Sequence, residues 1–132
     1  MLEKFKAAAS YIQDITELKP TVGIILGTGL GGLVNEIEIQ HEIAYGDIPH
    51  FPLSTVKGHS GKLIFGNLGG KSVVAMQGRF HYYEGYSLQE VTFPVRVMKF
   101  LGIKNLFVSN ASGGVNEAFE IGEIMILNDH ID

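Results

Sequence analysis

The chain has 132 residues, a formal net charge of −4 and a pI near 5.7. Hydrophobic residues make up 45% of it, which is the composition of one globular domain rather than of a disordered segment. The acidic balance without a basic run argues against a nucleic-acid partner, and no stretch approaches the roughly 20 apolar residues of a membrane-spanning helix. The lack of cysteine removes disulfides and thiolate metal sites and is compatible with a cytoplasmic location.

Apolar residues recur at helical spacing over residues 2–15, and Pro20 lies beyond them, which predicts an amphipathic opening helix. The short apolar run 22–26 stops at glycines and predicts a buried strand. Residues 37–45 alternate loosely, as a half-buried strand does. Residues 47–60, with two prolines and two histidines, predict an ordered loop.

Two apolar runs, 62–68 and 71–77, flank Gly69-Gly70 and predict a β-hairpin. Residues 87–90 read Ser-Leu-Gln-Glu and have the form of a helix capping box. Apolar residues continue at helical spacing to Leu101, and the helix they predict contains Pro94 as a point of kinking.

Gly102 is placed to cap the end of that helix, and residues 104–109 follow as the next predicted strand. The apolar run 123–127 predicts one more buried strand. The order of elements predicts an α/β fold, a mixed sheet flanked by helices. Two helices are too few to cover both faces of such a sheet. We therefore expect a chain that stops mid-fold, with a small domain of one open face as the alternative.

Residues 27–32, Gly-Thr-Gly-Leu-Gly-Gly, follow the first predicted strand. Backbone N–H groups in such a turn can converge on an anion, and the Thr28 hydroxyl adds a donor. The segment also fits the dinucleotide-binding pattern G-x-G-x-x-G, with Asp47 at a suitable distance, but residues 33–45 lack the pattern of a crossover helix. No Gly-Lys-Ser/Thr follows, which excludes a P-loop. A turn that only packs strand against helix remains the plain alternative.

A second polar cluster, residues 78–85, follows the predicted strand 71–77. Arg79 can clamp phosphate through two parallel N–H bonds, and His81 can donate to an anion or exchange a proton near neutral pH. Tyr83 offers a hydroxyl and a ring that fits along a sugar, and Glu84 could orient either neighbour. The plain alternatives are an Arg79–Glu84 surface ion pair and packing roles for the rings.

A third loop, residues 110–114, follows the strand 104–109. If the three strands are parallel neighbours, their polar loops meet at one edge of the sheet, where α/β folds bind ligands. The sequence therefore predicts an anion site there, with His59 as a further candidate. The histidines show no metal-ligand spacing, which argues against a zinc site: they are His41, His50, His59, His81 and His130.

With these segments the chain resembles the trimeric purine nucleoside phosphorylases, a family similar to the methylthioadenosine phosphorylases. The resemblance is carried by residues 26–31, 48–52, 56–61, 77–86 and 109–114, in the family's order, and covers nearly the whole chain. It implies a three-layer α/β/α nucleoside phosphorylase fold, of which residues 1–132 form the N-terminal portion of a single domain at about half length. The groups that grip the purine would come from the other half, so this portion by itself is expected to be inactive.

The resemblance implies a phosphate site of Thr28, His59, Arg79, His81 and the Ala111 N–H, with Phe80 in the same segment. His81 would be the catalytic residue and Tyr83 would reach the ribose. The implied reaction is phosphorolysis of purine (deoxy)ribonucleosides to free base and pentose 1-phosphate, a pentosyltransferase step of purine salvage.

Phosphate is itself a substrate of that reaction, so no metal or organic cofactor is implied. The implied partners are purine nucleoside, phosphate and two further copies in a cytoplasmic homotrimer. Thr28 is common in the methylthioadenosine class, whereas residues 110–114 favour the purine nucleoside class. A methylthioadenosine phosphorylase, and a phosphate- or nucleoside-binding module without turnover, remain the alternatives. Base preference is left open.

Overall fold

The computed structural model describes residues 1–53 and 61–131. A five-stranded mixed sheet forms its centre, with strand order β2-β3-β4-β1-β5. The strands, in chain order, are β1 (Val22–Ile25), β2 (Glu38–Ala44), β3 (Lys62–Leu68), β4 (Lys71–Gln77) and β5 (Asn105–Val108). β1 lies between β4 and β5 and is parallel to both, whereas β2, β3 and β4 pair antiparallel.

Two α-helices, α1 (Leu2–Ile15) and α2 (Leu88–Phe100), pack on one face of the sheet. Their apolar sides meet the alternate inward residues of β3 and β4 in a core with fully buried Ile12, Phe65 and Val97. The opposite face carries a smaller cluster around Ile64, which a 3₁₀ helix over Gly31–Glu36 covers in part through Val34. The predicted α/β fold with a mixed sheet is therefore confirmed.

The β3–β4 hairpin turns at Gly69 and Gly70, whose φ angles are +55° and +76°. Two successive left-handed residues give the turn whose twist matches the paired strands, and glycine adopts them without steric cost. The hairpin thus sets the register in which Lys62 faces Gln77. The polar segment 78–85 begins directly after Gln77, at the C-terminal end of β4.

The strand predicted over residues 123–127 is wrong. No strand is formed there, and Ile124 and Ile126 are 91% and 88% exposed. An apolar run becomes a strand only when a neighbouring strand takes up its backbone hydrogen bonds. Within the described residues, β5 pairs with β1 alone, and its own four residues are exposed. Among the same residues, no helix is long and apolar enough to span a membrane.

The capping box predicted at the start of α2 is confirmed. The Ser87 hydroxyl accepts a hydrogen bond from the Glu90 N–H at 3.2 Å, and the Glu90 carboxylate accepts one from the Ser87 N–H at 2.8 Å. We expect Ser87→Ala to lower the free energy of unfolding by about 1 kcal/mol, because a helix N–H loses its acceptor. Urea denaturation of the full-length protein measures this. Thr92→Ala, which removes an exposed hydroxyl inside the same helix, is the control and should change stability by less than about 0.5 kcal/mol.

Candidate functional site

The ends of β4, β1 and β5 meet at one edge of the sheet, as the three polar loops of the sequence predicted. Because the three strands are parallel neighbours in the order β4-β1-β5, the segments that follow them leave the sheet side by side. A cavity of about 690 Å³ lies at this edge. Its lining comprises Leu26, Gly27, Thr28, Gly29, Gly31, Tyr45, Gly61, Gln77, Gly78, Arg79, Phe80, His81 and Glu84.

The glycine loop forms one wall of this cavity. A turn closed by the Leu30 N–H on the Gly27 carbonyl at 3.1 Å places Thr28 and Gly29 at its tip, where Thr28 is exposed. Gly29 has φ +81°, which favours glycine. No crossover helix follows the loop. The chain instead enters the 3₁₀ helix and then β2, which pairs antiparallel at the far edge of the sheet. The arrangement therefore lacks the strand–helix–strand unit of a dinucleotide-binding fold.

Arg79 and His81 form the opposite wall. The Arg79 Nε–H donates to His81 Nε2 at 2.8 Å, and Arg79 Nη1 donates to the Ser109 carbonyl at 3.0 Å. The planar guanidinium is therefore held at two of its atoms, which fixes its orientation at the cavity. The sequence predicted both residues at the site, but it did not predict that they bond to each other.

Glu84 orients His81 from the other side. Its carboxylate lies 2.7 Å from His81 Nδ1 and accepts the His81 backbone N–H at 2.9 Å. Because Arg79 occupies Nε2 as an acceptor, the neutral imidazole carries its proton on Nδ1 and donates it to Glu84. Glu84 thus pairs with His81, and the alternative of an Arg79–Glu84 surface ion pair does not fit the structure.

The hydrogen bond from the His81 ring, reinforced by the His81 backbone N–H, holds the pKa of the Glu84 carboxyl below its ordinary value of 4.5. A carboxyl with a lower pKa in the folded state contributes stability above its unfolded pKa, and that contribution is lost as the pH falls through the folded pKa. We expect Glu84→Gln to lower the melting temperature near neutral pH, and we expect its difference from wild type to be smaller at an acidic pH, because the contribution of Glu84 fades as the pH falls through its folded pKa.

Thermal denaturation followed by circular dichroism at both pH values measures this difference. The matched control is Glu117→Gln, which replaces an exposed carboxylate in the segment after β5. A gap between wild type and Glu84→Gln that stays constant with pH would contradict an ionised Glu84 paired with His81.

Tyr45 and Phe80 form the floor of the cavity. The buried Tyr45 hydroxyl donates to the Gly78 carbonyl at 2.5 Å, and burial raises the pKa of that phenol. Its ring packs on Phe80 at 5.2 Å between ring centroids, and Phe80 also packs edge-on against Tyr86. The Phe80 side chain is thus buried in the core, so only its backbone is placed to meet a phosphate. Gly78 has φ +90°, and the Tyr45 bond holds the turn that presents Arg79.

The remaining predicted residues lie at the margins. The Tyr83 ring stacks on His81 with centroids 4.7 Å apart and is 82% exposed, outside the cavity lining. Ala111 is exposed two residues beyond Ser109, and it also lies outside the lining. His59 falls outside the described residues. Within the described part of the chain, no three histidine or carboxylate side chains are grouped to hold a metal ion.

Ser109 and Tyr45 are site residues that sequence reasoning missed. The sequence places Ser109 at the end of a strand and in the family-like segment 109–114 but gives it no role, although a hydroxyl beside a glycine-containing loop is a usable signal. Tyr45 gives no such signal, because its bond to Gly78 depends on how β2 and the hairpin bring distant residues together.

The model of the phosphorylase superfamily matches residues 21–132. Purine nucleoside phosphorylase 1 of Geobacillus stearothermophilus is 58% identical over 125 residues, which cover 95% of this chain and 46% of that protein. Purine nucleoside phosphorylase of Bos taurus is 51% identical over 130 residues, covering 98% of this chain and 45% of that protein. The chain spans about half the length of these curated relatives.

Solved structures agree with the sequence matches. A crystal structure of purine nucleoside phosphorylase in complex with ribose 1-phosphate superimposes with a TM-score of 0.87 at 52% identity, over 92% of this chain and 45% of that one. The Schistosoma mansoni purine nucleoside phosphorylase in complex with inosine gives a TM-score of 0.85 at 50% identity, over 92% and 42%.

Proposed function

The chain belongs to the phosphorylase superfamily, and from that premise we propose that the full-length protein is a purine nucleoside phosphorylase. It splits purine (deoxy)ribonucleosides with phosphate into free base and pentose 1-phosphate. One observation carries the proposal: three parallel strand ends place Thr28, Arg79 and His81 around a single cavity. The printed names of the relatives, and the ribose 1-phosphate and inosine complexes among them, support it.

The cavity supplies what a phosphate nucleophile needs. The glycine loop with Thr28 and the Arg79 guanidinium line the same cavity, so we propose that an anion there accepts hydrogen bonds from both walls. In the reaction, a phosphate oxygen forms a bond to the anomeric carbon while the bond from that carbon to the purine nitrogen breaks. The base leaves with the electron pair and takes up a proton.

Holding phosphate rigidly serves this reaction in two ways. Positive charge grows on the sugar in an oxocarbenium-like transition state, and the bound dianion is both the attacking group and the counter-charge. The bond of Arg79 Nη1 to the Ser109 carbonyl and that of His81 Nδ1 to Glu84 hold both side chains before substrate arrives. Phosphate itself is the reactant, so we propose that the protein uses no metal or organic cofactor.

His81 changes its partner when phosphate binds. In this structure its Nε2 accepts from Arg79, so it cannot donate there. We propose that phosphate draws the Arg79 N–H away and that His81, protonated on both nitrogens, donates from Nε2 to a phosphate oxygen and from Nδ1 to Glu84. The carboxylate at 2.7 Å stabilises that imidazolium. We also propose that Tyr83, which stacks on His81, meets the ribose and that His59 and the Ala111 N–H contribute to the phosphate site.

The further proposals concern the setting of the reaction. We propose a cytoplasmic homotrimer that acts in purine salvage. Light scattering of the full-length protein in solution tests the oligomer, and a mass of three chains is the expected result. A mass of one chain would contradict the proposed trimer.

The experiment that tests the function is a phosphorolysis assay. Protein from the complete reading frame is incubated with inosine or guanosine, with and without phosphate, and released base is measured. We expect release only with phosphate, together with stoichiometric ribose 1-phosphate. Release without phosphate would make the protein a hydrolase, and no release with nucleoside bound would make it a binding module. Faster turnover of methylthioadenosine than of inosine would assign it to the other class.

A further inference from the structure

Ser109, the residue that ends β5, contacts both walls of the cavity although it does not line it. Its hydroxyl accepts the Gly27 N–H at 3.1 Å and donates to the Ile25 carbonyl at 3.2 Å. Its backbone N–H donates to the same Ile25 carbonyl at 3.1 Å, and its carbonyl accepts Arg79 Nη1 at 3.0 Å. One residue thus bonds to the end of β1, to the start of the glycine loop and to the arginine.

The Ser109 hydroxyl fixes where the glycine loop begins. It donates to the Ile25 carbonyl at the end of β1 and accepts from the Gly27 N–H at the start of the loop. These two bonds fix the separation between the Ile25 carbonyl and the Gly27 N–H. The packing is close: a Cβ on Gly27 would lie 2.5 Å from the Ser109 carbonyl oxygen. Thr28, the next residue, presents its hydroxyl from a loop whose first N–H is set by Ser109.

The Ser109 carbonyl fixes the arginine on the other wall. With Nη1 on that carbonyl and Nε on His81, the plane of the guanidinium is determined. The position of that carbonyl depends in turn on the two bonds from Ser109 to Ile25. A shift of Ser109 therefore moves Thr28 and Arg79 relative to each other.

We propose that Ser109 is a positioning residue of the phosphate site, which sets the spacing between the glycine loop and Arg79. This inference rests on the proposed function. It differs from a purely structural role because it predicts a selective effect on phosphate. Loss of the hydroxyl alters the site that holds phosphate and leaves the nucleoside contacts in place.

The test uses the full-length protein with Ser109 replaced by Ala, Val or Thr. Val and Thr have the same shape and differ in the hydroxyl, so comparing the two separates the effect of the hydroxyl from that of the extra methyl. We expect the Ala and Val variants to raise the phosphate KM about tenfold and to keep the nucleoside KM within about twofold of wild type. The Thr variant should have a phosphate KM within about threefold of wild type. Equal phosphate KM values for Val and Thr would overturn the proposal, as would equal rises in both KM values.

Phosphate affinity is also measured by isothermal titration calorimetry, which keeps the test independent of turnover. If wild type lacks phosphorolysis but binds phosphate, the proposed function fails while the role of Ser109 is still decided by the variants. If wild type binds no phosphate, both fail. Thr21→Ala is the matched control, because it removes another strand-end hydroxyl bond, to the Ser72 carbonyl at 3.4 Å, at the opposite end of β1. It should leave the phosphate affinity unchanged.

Discussion

Arg79→Ala in the full-length protein should weaken phosphate binding by about 3 kcal/mol, which is roughly a hundredfold in affinity. The guanidinium is the cation that the structure fixes at the cavity, through Nε on His81 and Nη1 on the Ser109 carbonyl. Removing it deprives a doubly charged ligand of its permanently charged donor and leaves His81 as the cation proposed to meet it. In steady-state kinetics, kcat/KM for phosphate should fall by about the same factor, because the interaction is retained in the transition state.

Two further variants make the Arg79 result specific. Arg79→Lys keeps the charge but loses the planar guanidinium, so we expect its phosphate affinity to lie between that of wild type and that of Arg79→Ala. Arg96→Ala, on the exposed side of α2, changes the net charge equally and should leave phosphate kinetics unchanged. Unaltered phosphate affinity in Arg79→Ala, with circular dichroism showing a folded protein, would refute the assigned role.

Gly27→Ala is expected to disturb both stability and phosphate binding. A Cβ at this position would lie 2.5 Å from the Ser109 carbonyl oxygen and 2.8 Å from the Asn110 Cα. Both are backbone atoms, so the loop or the end of β5 must move. Overpacking of this kind costs about 2 kcal/mol of folding free energy. It also separates Gly27 from the Ser109 hydroxyl, so phosphate affinity should fall at least tenfold.

Chemical denaturation and phosphate titration of the same preparation measure the two effects of Gly27→Ala. Gly46→Ala is the control, because among the described residues its Cβ would meet Leu53 alone, at an ordinary 3.7 Å, and the position is exposed. If Gly27→Ala were as stable as Gly46→Ala and bound phosphate normally, the close approach of the loop to β5 would not exist in solution.

Local sequence signals were sufficient for most of the sheet and both helices. Glycine pairs, a capping box and apolar periodicity are encoded within a few residues, and the hairpin at Gly69-Gly70 and α2 follow directly from them. The convergence of three loops was also predictable, since polar glycine-containing segments after parallel strands meet at one edge.

Features that depend on which groups meet in three dimensions were not predictable. The apolar run 123–127 has the composition of a buried strand, but a strand requires a paired neighbour, and its residues are exposed. The sequence predicted that His81 donates to phosphate, but in this structure His81 Nε2 accepts a hydrogen bond from Arg79. The two residues, each suited to binding phosphate, bond to each other. The bond of Tyr45 to Gly78 and those of the Ser109 hydroxyl join residues more than 30 positions apart.

A crystal structure of the full-length protein grown with phosphate gives the most direct test of the site at the ends of β4, β1 and β5. We predict phosphate in the cavity, within hydrogen-bonding distance of the Thr28 hydroxyl, the glycine-loop N–H groups and the Arg79 guanidinium, with His81 Nε2 turned from Arg79 to a phosphate oxygen. Phosphate bound elsewhere, or a cavity left without it while the Arg79–His81 bond persists at saturating phosphate, would contradict this assignment.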